Sequence, residues 1–269
     1  FTMCAECRTE YNDPLDRRFH AQPNACPVCG PQVRILDSAG HALQADDPIQ
    51  DAAERLARGA ILVIKGLGGY HLACDALNQE AVARLRRRKH REAKPFALML
   101  SSVEDARLLC EVSYAEAELL QSRKRPIVLL EQKEDCPVAP GVAPGSRNLG
   151  LMLAYTPLHY LLLEAFQAAT GRNNAALVMT SGNLSNEPIA YRDADALERL
   201  GSMVDGMLTH NRDIHMRCDD PVPRVVAGRT QILRRSPGHA PCPPNLTYHS
   251  PPPPPPVGGP STTPSAPGT

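Results

Sequence analysis

The stretch from Lys65 to Leu100, KGLGGYHLACDALNQEAVARLRRRKHREAKPFALML, leaves the chain few ways to fold. An apolar run, Ala60 to Lys65, leads into a turn built on Gly66, Gly68 and Gly69. Asn78 is placed to cap a helix, and seven of the eleven residues from Arg84 to Lys94 are Lys or Arg. Pro95 stops that helix, because its ring removes a donor and disfavours helical backbone in the residue before it. Phe96 to Leu100 then reads as a second buried strand. The chain carries 29 basic and 29 acidic residues, so the cluster is a local field and not a bulk property. Such a field beside a glycine-rich loop suits a phosphate-bearing ligand, and it equally suits a solvated helix face.

The same alternation continues on both sides. Pro48 to Arg58 is an amphipathic helix with Asp46 or Asp47 as its cap, ended by Gly59. Helices are expected from Ser101 or Ser102 towards Cys110 and over Tyr114 to Ser122, and a strand over Pro126 to Leu130. Glu131 to Arg147 reads as a Pro- and Gly-rich loop. Thr156 caps a helix to about Ala169, and the strand Ala175 to Met179 delivers Thr180-Ser181-Gly182-Asn183. Asp193 to Leu200 is helical, and Val222 to Ala227 pairs with Gln231 to Arg234 as a hairpin. The expected fold is α/β with a mixed sheet and a ligand at strand ends. From Pro241 onward the composition changes, with twelve of the 27 prolines lying between Pro241 and Pro267. That tail, 241–269, is expected to be disordered and partly polyproline.

Four of the nine cysteines form two CxxC pairs, Cys4/Cys7 and Cys26/Cys29, with the spacing of a four-thiolate Zn2+ site. Four thiolates leave no open position, so the metal is expected to be structural and to supply folding energy to a short segment. His20 reads as a surface residue and not as a ligand. The odd cysteine count, without a secretory signal, argues against a disulfide framework and for a reducing cytoplasm. No apolar run reaches the roughly 18 residues of a membrane helix. The chain opens at Phe1, directly before the cysteine motif, and is read as an excised piece of a longer protein.

Three separated elements can converge on one anionic ligand. They are Lys89-His90-Arg91 with Lys94, the Thr180–Asn183 turn, and Ile232–Ser236 with Arg217 and Arg224 upstream. The glycine turn lacks the Gly-Lys-Ser/Thr ending of a P-loop.

The runs MCAEC, HAQPNACPVCGP, KGLGGYHLACDA, RRRKHREAKPFALM, GLMLAYTPLHYLLL, TSGNLSNEPI, HNRDIHMRCDD and ILRRSPGHAP resemble consecutive motifs of the HypF-type hydrogenase-maturation carbamoyltransferases. The resemblance implies a zinc-finger module over 1–36 and a YrdC-like domain over 45–240, a mixed twisted sheet with flanking helices. It implies condensation of carbamate with ATP, with Mg2+, to carbamoyl-adenylate and pyrophosphate. The family's Kae1-like domain, absent from this chain, then passes the carbamoyl group to the C-terminal cysteine of HypE. By the same matching, Lys89 and Arg91 stand at the family's KxR, Ser181 and Asn183 at its SxN, and Arg235 at the arginine of the following ILR motif. Tyr70 falls at an aromatic near the acyl group. Pro221 stands where a phosphate-contacting serine is expected, and Asp213, Pro237 and Ala154 also depart from the pattern. Two other readings use the same residues. One is a threonylcarbamoyl-adenylate synthase of tRNA modification. The other is a non-catalytic double-stranded RNA-binding module that uses the Arg84–Lys94 face.

Overall fold

The computed structural model describes residues 2–184 and 187–236, so the expected tail lies outside the described residues. In chain order the elements are α1 (Ala5–Asn12), β1 (Val33–Leu36), α2 (Pro48–Ala57), β2 (Leu62–Lys65), β3 (Tyr70–Asp75), α3 (Gln79–Lys89) and β4 (Ala97–Leu100). They continue with α4 (Val103–Leu109), α5 (Tyr114–Gln121), β5 (Val128–Glu131), β6 (Asn148–Leu153), α6 (Pro157–Thr170) and β7 (Leu177–Ser181). The last are α7 (Asp193–Leu200), β8 (Gly206–His210), β9 (Val222–Val226) and β10 (Arg229–Arg234). Eight strands form one sheet in the order β1-β8-β2-β3-β7-β4-β6-β5, and β9 with β10 forms a separate hairpin. The β2/β8 and β4/β6 pairs are parallel and the others antiparallel, so the sheet is mixed.

Side chains alternate along each strand, so each strand feeds two cores. Val63, Leu72, Leu98 and Val178 pack with Val82 and Leu85 of α3. Leu62, Ile64, Met99 and Met179 pack with Ala53 and Leu56 of α2 and with Leu162 and Phe166 of α6.

The caps follow the sequence. Asp47 accepts from the amides of Ile49 and Gln50, Asn78 from that of Ala81, and Thr156 from that of His159. Ser102 and Ser113 each close a capping box. Four strands lie where the sequence reading places none, β3 after the glycine turn among them. β1, at the end of the expected finger, is the sheet's edge strand against β8. β6 has Gly150 in its interior, and β8 opens on Gly206, so both are short runs in which glycine weakens the strand signal. Among the described residues, no helix is long and apolar enough to cross a membrane.

The basic cluster is not a solvated face. Arg86 donates to the carbonyls of Arg91 (2.8 Å), Glu92 (3.0 Å) and Val142 (3.1 Å), and also to those of Lys94 and Gly141. Its guanidinium carbon lies 4.5 Å from the Phe96 ring centroid. Arg84 donates to the carbonyl of Gly59, and Arg88 to that of Met203 and to Asp205. These cations satisfy carbonyls that no secondary structure reaches. Arg86→Met is expected to destabilise the chain by about 2–3 kcal/mol, the scale of one or two charge-assisted hydrogen bonds lost from partly buried carbonyls. Urea denaturation measures it, and a change below about 0.5 kcal/mol would remove Arg86 from this role.

Candidate nucleotide site and finger

α3 ends at Lys89, and His90 takes a left-handed conformation (φ 49°) that turns the chain sharply. That turn aims Lys89 and Arg91 at the end of β7. Lys89 is 2% exposed. Its ammonium donates to the carbonyl of Ser181, to the carbonyl of Asn183 (2.8 Å) and to Asn183 Oδ1 (2.9 Å). Ser181 Oγ also donates to Asn183 Oδ1 (2.8 Å), and Asn183 Nδ2 donates to the carbonyl of Glu187 (2.6 Å). Arg91 donates to Thr180 Oγ1 (3.0 Å) and to the carbonyls of Lys94 (3.1 Å) and Pro95 (2.6 Å). Lys89, Arg91, Ser181 and Asn183 are thus brought into one cluster by α3 and β7.

The turn after β7 is fixed by backbone. Gly182 N–H donates to the carbonyl of Tyr70 (2.6 Å), Ala190 N–H to that of Gly182 (2.8 Å), and Tyr70 N–H to that of Ala190 (2.8 Å). A Cβ on Gly182 would lie 2.7 Å from the Tyr70 carbonyl oxygen, so only glycine fits.

The other expected residues lie differently. Lys94 is exposed; its charge reaches Lys89, and its carbonyl is held by Arg86 and Arg91. The Tyr70 side chain is fully buried, and its hydroxyl donates to Asp193 Oδ1 (2.7 Å) beside Lys65, whose ammonium donates to the same oxygen (2.6 Å). Tyr70 therefore meets the cluster through its backbone and not its ring. Arg235 is exposed, whereas its neighbour Arg234 donates to the Asp220 carbonyl (2.8 and 3.0 Å) and its charge acts on Arg91. Pro221 is buried, lines the adjoining cleft and accepts from Ile127 N–H (2.9 Å).

Sequence reasoning assigns no role to a second group. His71 lies opposite Ser181 in the β3/β7 register, and its Nε2 is 3.4 Å from Asp220 Oδ2. Burial alone would raise the Asp220 carboxyl, but the hydrogen bond and charge of His71, with Arg234 beyond, bring it below the usual range. His159 is fully buried, with neither ring nitrogen hydrogen-bonded, and sits edge-on to Tyr155 at 4.6 Å. Burial, and then the charge of His71, lower its pKa to about 3. The available signal was a histidine inside each of two apolar runs, YHLACD and PLHYLLL. Tyr155 and Asp220 open onto a cleft of about 800 Å³ that Leu67, Gly68, Cys218 and Ser236 also line.

In the finger, Cys4 precedes α1 and Cys7 lies on it, while Cys26 and Cys29 sit on the returning turn. The four sulfurs lie within 4.8 Å of one another, with Cys4–Cys26 at 3.6 Å and Cys26–Cys29 at 4.0 Å. A tetrahedron with metal–sulfur bonds of about 2.3 Å has edges of about 3.8 Å, so the donor set fits Zn2+. Burial pushes the Cys7 thiol up to about 12, while backbone hydrogen bonds from Cys4 and Cys26 bring Cys29 down to about 6. His20 is exposed and stacks on Tyr11, outside the cluster.

The Sua5_yciO_yrdC model, described as telomere recombination, matches residues 54–236, and the HypF finger model matches residues 3–36. The chain belongs to the Sua5/YciO/YrdC family and is homologous to HypF. Carbamoyltransferase HypF of Rhodobacter capsulatus is 48% identical over 250 residues, covering 91% of this chain and 32% of that protein. A crystal structure of full-length HypF in a phosphate- and nucleotide-bound form superposes with a TM-score of 0.78 at 48% identity, covering 90% of this chain and 30% of that one. The threonylcarbamoyl-AMP synthase of Homo sapiens is 28% identical, covering 63% of this chain and 61% of that protein. The chain spans about a third of the length of the HypF relatives it matches. In this Sua5/YciO/YrdC domain, as in the finger, the fold class expected from the motifs is the one observed.

Burial first, and then the charges of Arg91 and Lys94, lower the Lys89 pKa from 10.5 to about 7. Between those values the unfolded chain holds a proton that the folded chain lacks, so stability rises with pH across that window. The cost of burying the charge is fully present below about 7. Relative to Lys89→Met, the chain is expected to gain about 2–4 kcal/mol between pH 7 and pH 10. Parallel denaturation curves of the two proteins measure it, and a pH-independent difference would rule out the buried titration.

Proposed function

We propose that this chain forms carbamoyl-adenylate from carbamate and ATP, releasing pyrophosphate, as the adenylating part of a HypF-type carbamoyltransferase. The observation that carries this reading is the Lys89 ammonium held against the Ser181–Asn183 turn, in a chain that also bears a HypF finger. A carbamate oxygen attacks the α-phosphorus, the new O–P bond forms, and the bond to pyrophosphate breaks. Negative charge on the phosphoryl oxygens is the main obstacle, and fixed cations in a partly dry site lower it. Lys89 and Arg91 supply that charge. Asn183 Oδ1 occupies one donor of Lys89 and also accepts from Ser181 Oγ, so an anionic ligand that displaces it frees both donors at once. An anion also raises the Lys89 pKa, so nucleotide binding takes up a proton above about pH 7. Mg2+, when bound with ATP, supplies further charge at the β- and γ-phosphates. Tyr70 serves through its backbone, and Arg235 and Lys94 supply outer positive charge.

In the whole protein the carbamoyl group then goes to the C-terminal cysteine of HypE, through a Kae1-like domain, towards the cyanide ligands of [NiFe] hydrogenase. A reducing cytoplasm suits both that thiol and the four thiolates proposed to hold structural Zn2+. The double-stranded RNA reading is disfavoured by the inward orientation of Arg84, Arg86, Arg88, Lys89 and Arg91 onto carbonyls and side chains of the fold.

ATP–pyrophosphate exchange tests the reaction, with ammonium bicarbonate as the carbamate source. Exchange is expected with carbamate, and Lys89→Ala lowers it by about 100-fold or more. Exchange only with threonine plus bicarbonate would move the assignment to threonylcarbamoyl-adenylate. Metal analysis is expected to find about one Zn2+ per chain and a loss of it in Cys26→Ser. An unchanged zinc content in that variant would refute the four-thiolate site.

A further inference from the structure

Just before β2 the chain borders a hollow of about 370 Å³ lined by Arg55, Arg58, Ala60 and Arg84, so each polar side chain on its wall is an arginine. The hollow is distinct from the Lys89–Ser181 cluster. Ser181 pairs with His71 and His71 with Ile64, so Ala60 lies four residues of strand, about 13 Å, from their level. Arg84 precedes Lys89 by five helical residues, about 7.5 Å of rise, and projects from a different face of α3. The arginines come from both layers of the fold. Arg55 and Arg58 belong to the end of α2, whose buried face packs in one core, and Arg84 to α3, whose buried face packs in the other. The turn between α2 and β2 is firmly held. Gly59 has φ 88°, its N–H donates to the Leu56 carbonyl (2.9 Å), and Ala60 N–H donates to that of Arg55 (2.9 Å). The Gly59 carbonyl in turn accepts from Arg84 Nη2.

Each arginine uses only part of its fork on the protein. Arg55 Nε donates to Asp51 Oδ2 (2.7 Å). Arg58 donates through Nε to the Glu54 carbonyl (3.2 Å) and through Nη2 to the Glu54 carboxylate (3.4 Å). Among the described residues, no acceptor meets either Nη of Arg55, Nη1 of Arg58 or Nη1 of Arg84, and Arg84 Nε is buried with no partner. The α2 dipole favours cations in its last turn, which accounts for Arg55 and Arg58 without a ligand. It does not account for Arg84, which comes from another helix, has no carboxylate partner among the described residues and leaves a buried donor unmet, a costly arrangement. A tetrahedral dianion presents oxygens to all three forks at once, whereas a single carboxylate fills one.

We propose that Arg55, Arg58 and Arg84 form a second oxyanion site, for inorganic phosphate or the phosphoryl group of a small phosphomonoester, separate from the adenylation cluster and independent of that reading. Isothermal titration and thermal unfolding of the full chain at constant ionic strength test it, with inorganic phosphate, glycerol 3-phosphate, and acetate as the single-carboxylate control. All proteins carry Lys89→Ala, so that binding at the other cluster does not enter. In that background phosphate is expected to bind saturably and to raise the thermal midpoint. An added Arg55→Gln, Arg58→Gln pair is expected to weaken phosphate about tenfold or more, and glutamine keeps the helix propensity of α2. An added Glu54→Gln is expected to tighten phosphate about threefold, because it frees Arg58 and removes a like charge, a gain that misfolding cannot produce. Acetate is expected to bind about tenfold more weakly than phosphate. No saturable phosphate binding in the Lys89→Ala background, equal affinity with and without the two glutamines, or acetate binding as tightly as phosphate would each overturn the site. Tighter binding of glycerol 3-phosphate than of phosphate would assign the site to a phosphomonoester, and equal or weaker binding to inorganic phosphate.

Discussion

Backbone carbonyls left unpaired after α3 are the constraint on which this structure turns. The segment from Arg91 to Pro95 forms no helix or strand, and most of it is exposed just before buried Phe96. Carbonyls cut off from regular partners need donors, most of all where they are partly buried, as at Arg91 and Val142, and the last turn of α3 supplies them. Arg86 reaches back to the carbonyls of Arg91, Glu92 and Lys94 and across to those of Gly141 and Val142. The helix dipole favours cations at this end, so the same charges that cap the loop also stabilise the helix. With Arg86 fixing the loop, Arg91 and Lys89 have little freedom left. Their placement at Ser181 is therefore a consequence of loop capping as much as of any ligand.

The sheet register explains why two sets of polar residues meet at one place. His71 faces Ser181 across the antiparallel β3/β7 pair, and Leu72 faces Thr180. Opposed residues in such a pair share a face, and successive residues alternate. Thr180 therefore joins Arg91 on the α3 side, while Ser181 shares a face with His71 and, through it, Asp220. A group bound at Ser181 stands between a cationic cluster on one side and an Asp–His pair on the other. The register that sets this also buries Val178 and Met179 in opposite cores, so a one-residue slip would lose both cores together with the site.

Much of this was legible in the sequence where local chemistry is strong. Caps at Asp47, Asn78, Ser102 and Thr156 and the breaks at Gly59 and Pro95 follow from residue type and spacing, whereas the pairing of the α3 end with the β7 end was implied by the family resemblance. The fate of the basic cluster was not legible. Charge density in a sequence does not tell whether an arginine faces water or a carbonyl thirty or more residues away, as Arg86 faces Gly141 and Arg88 faces Met203. The Asp220–His71–His159–Tyr155 group was equally hidden, because its members come from three separate segments joined only by the fold. β6 and β8 escaped because interior or leading glycine dilutes a short strand's pattern, and tertiary pairing decides such cases.

The finger and the cleft are mechanically joined, which bears on why a finger precedes this domain. Arg212 donates to the carbonyl of Cys29 (2.7 Å), and Asn211 exchanges hydrogen bonds with Gln32 N–H (3.0 Å) and the Gly30 carbonyl (3.3 Å). Those two residues directly follow β8, and the chain then runs through Asp213, His215 and Cys218 along the cleft wall. Cys218 N–H in turn donates to the Gly68 carbonyl (2.9 Å), and a Cβ on Gly68 would lie 2.6 Å from the Cys218 carbonyl oxygen. The glycine turn that follows β2 is thus clamped by a segment whose other end is anchored to the cysteine knuckle. Segments of this kind, with few regular hydrogen bonds of their own, take their order from their anchors. The cysteine knuckle, whose four sulfurs could close on one metal, is one anchor, and the β2–β3 turn is the other. The wall of the cleft is therefore held from both ends, by the cysteine knuckle and by a backbone contact that tolerates only glycine.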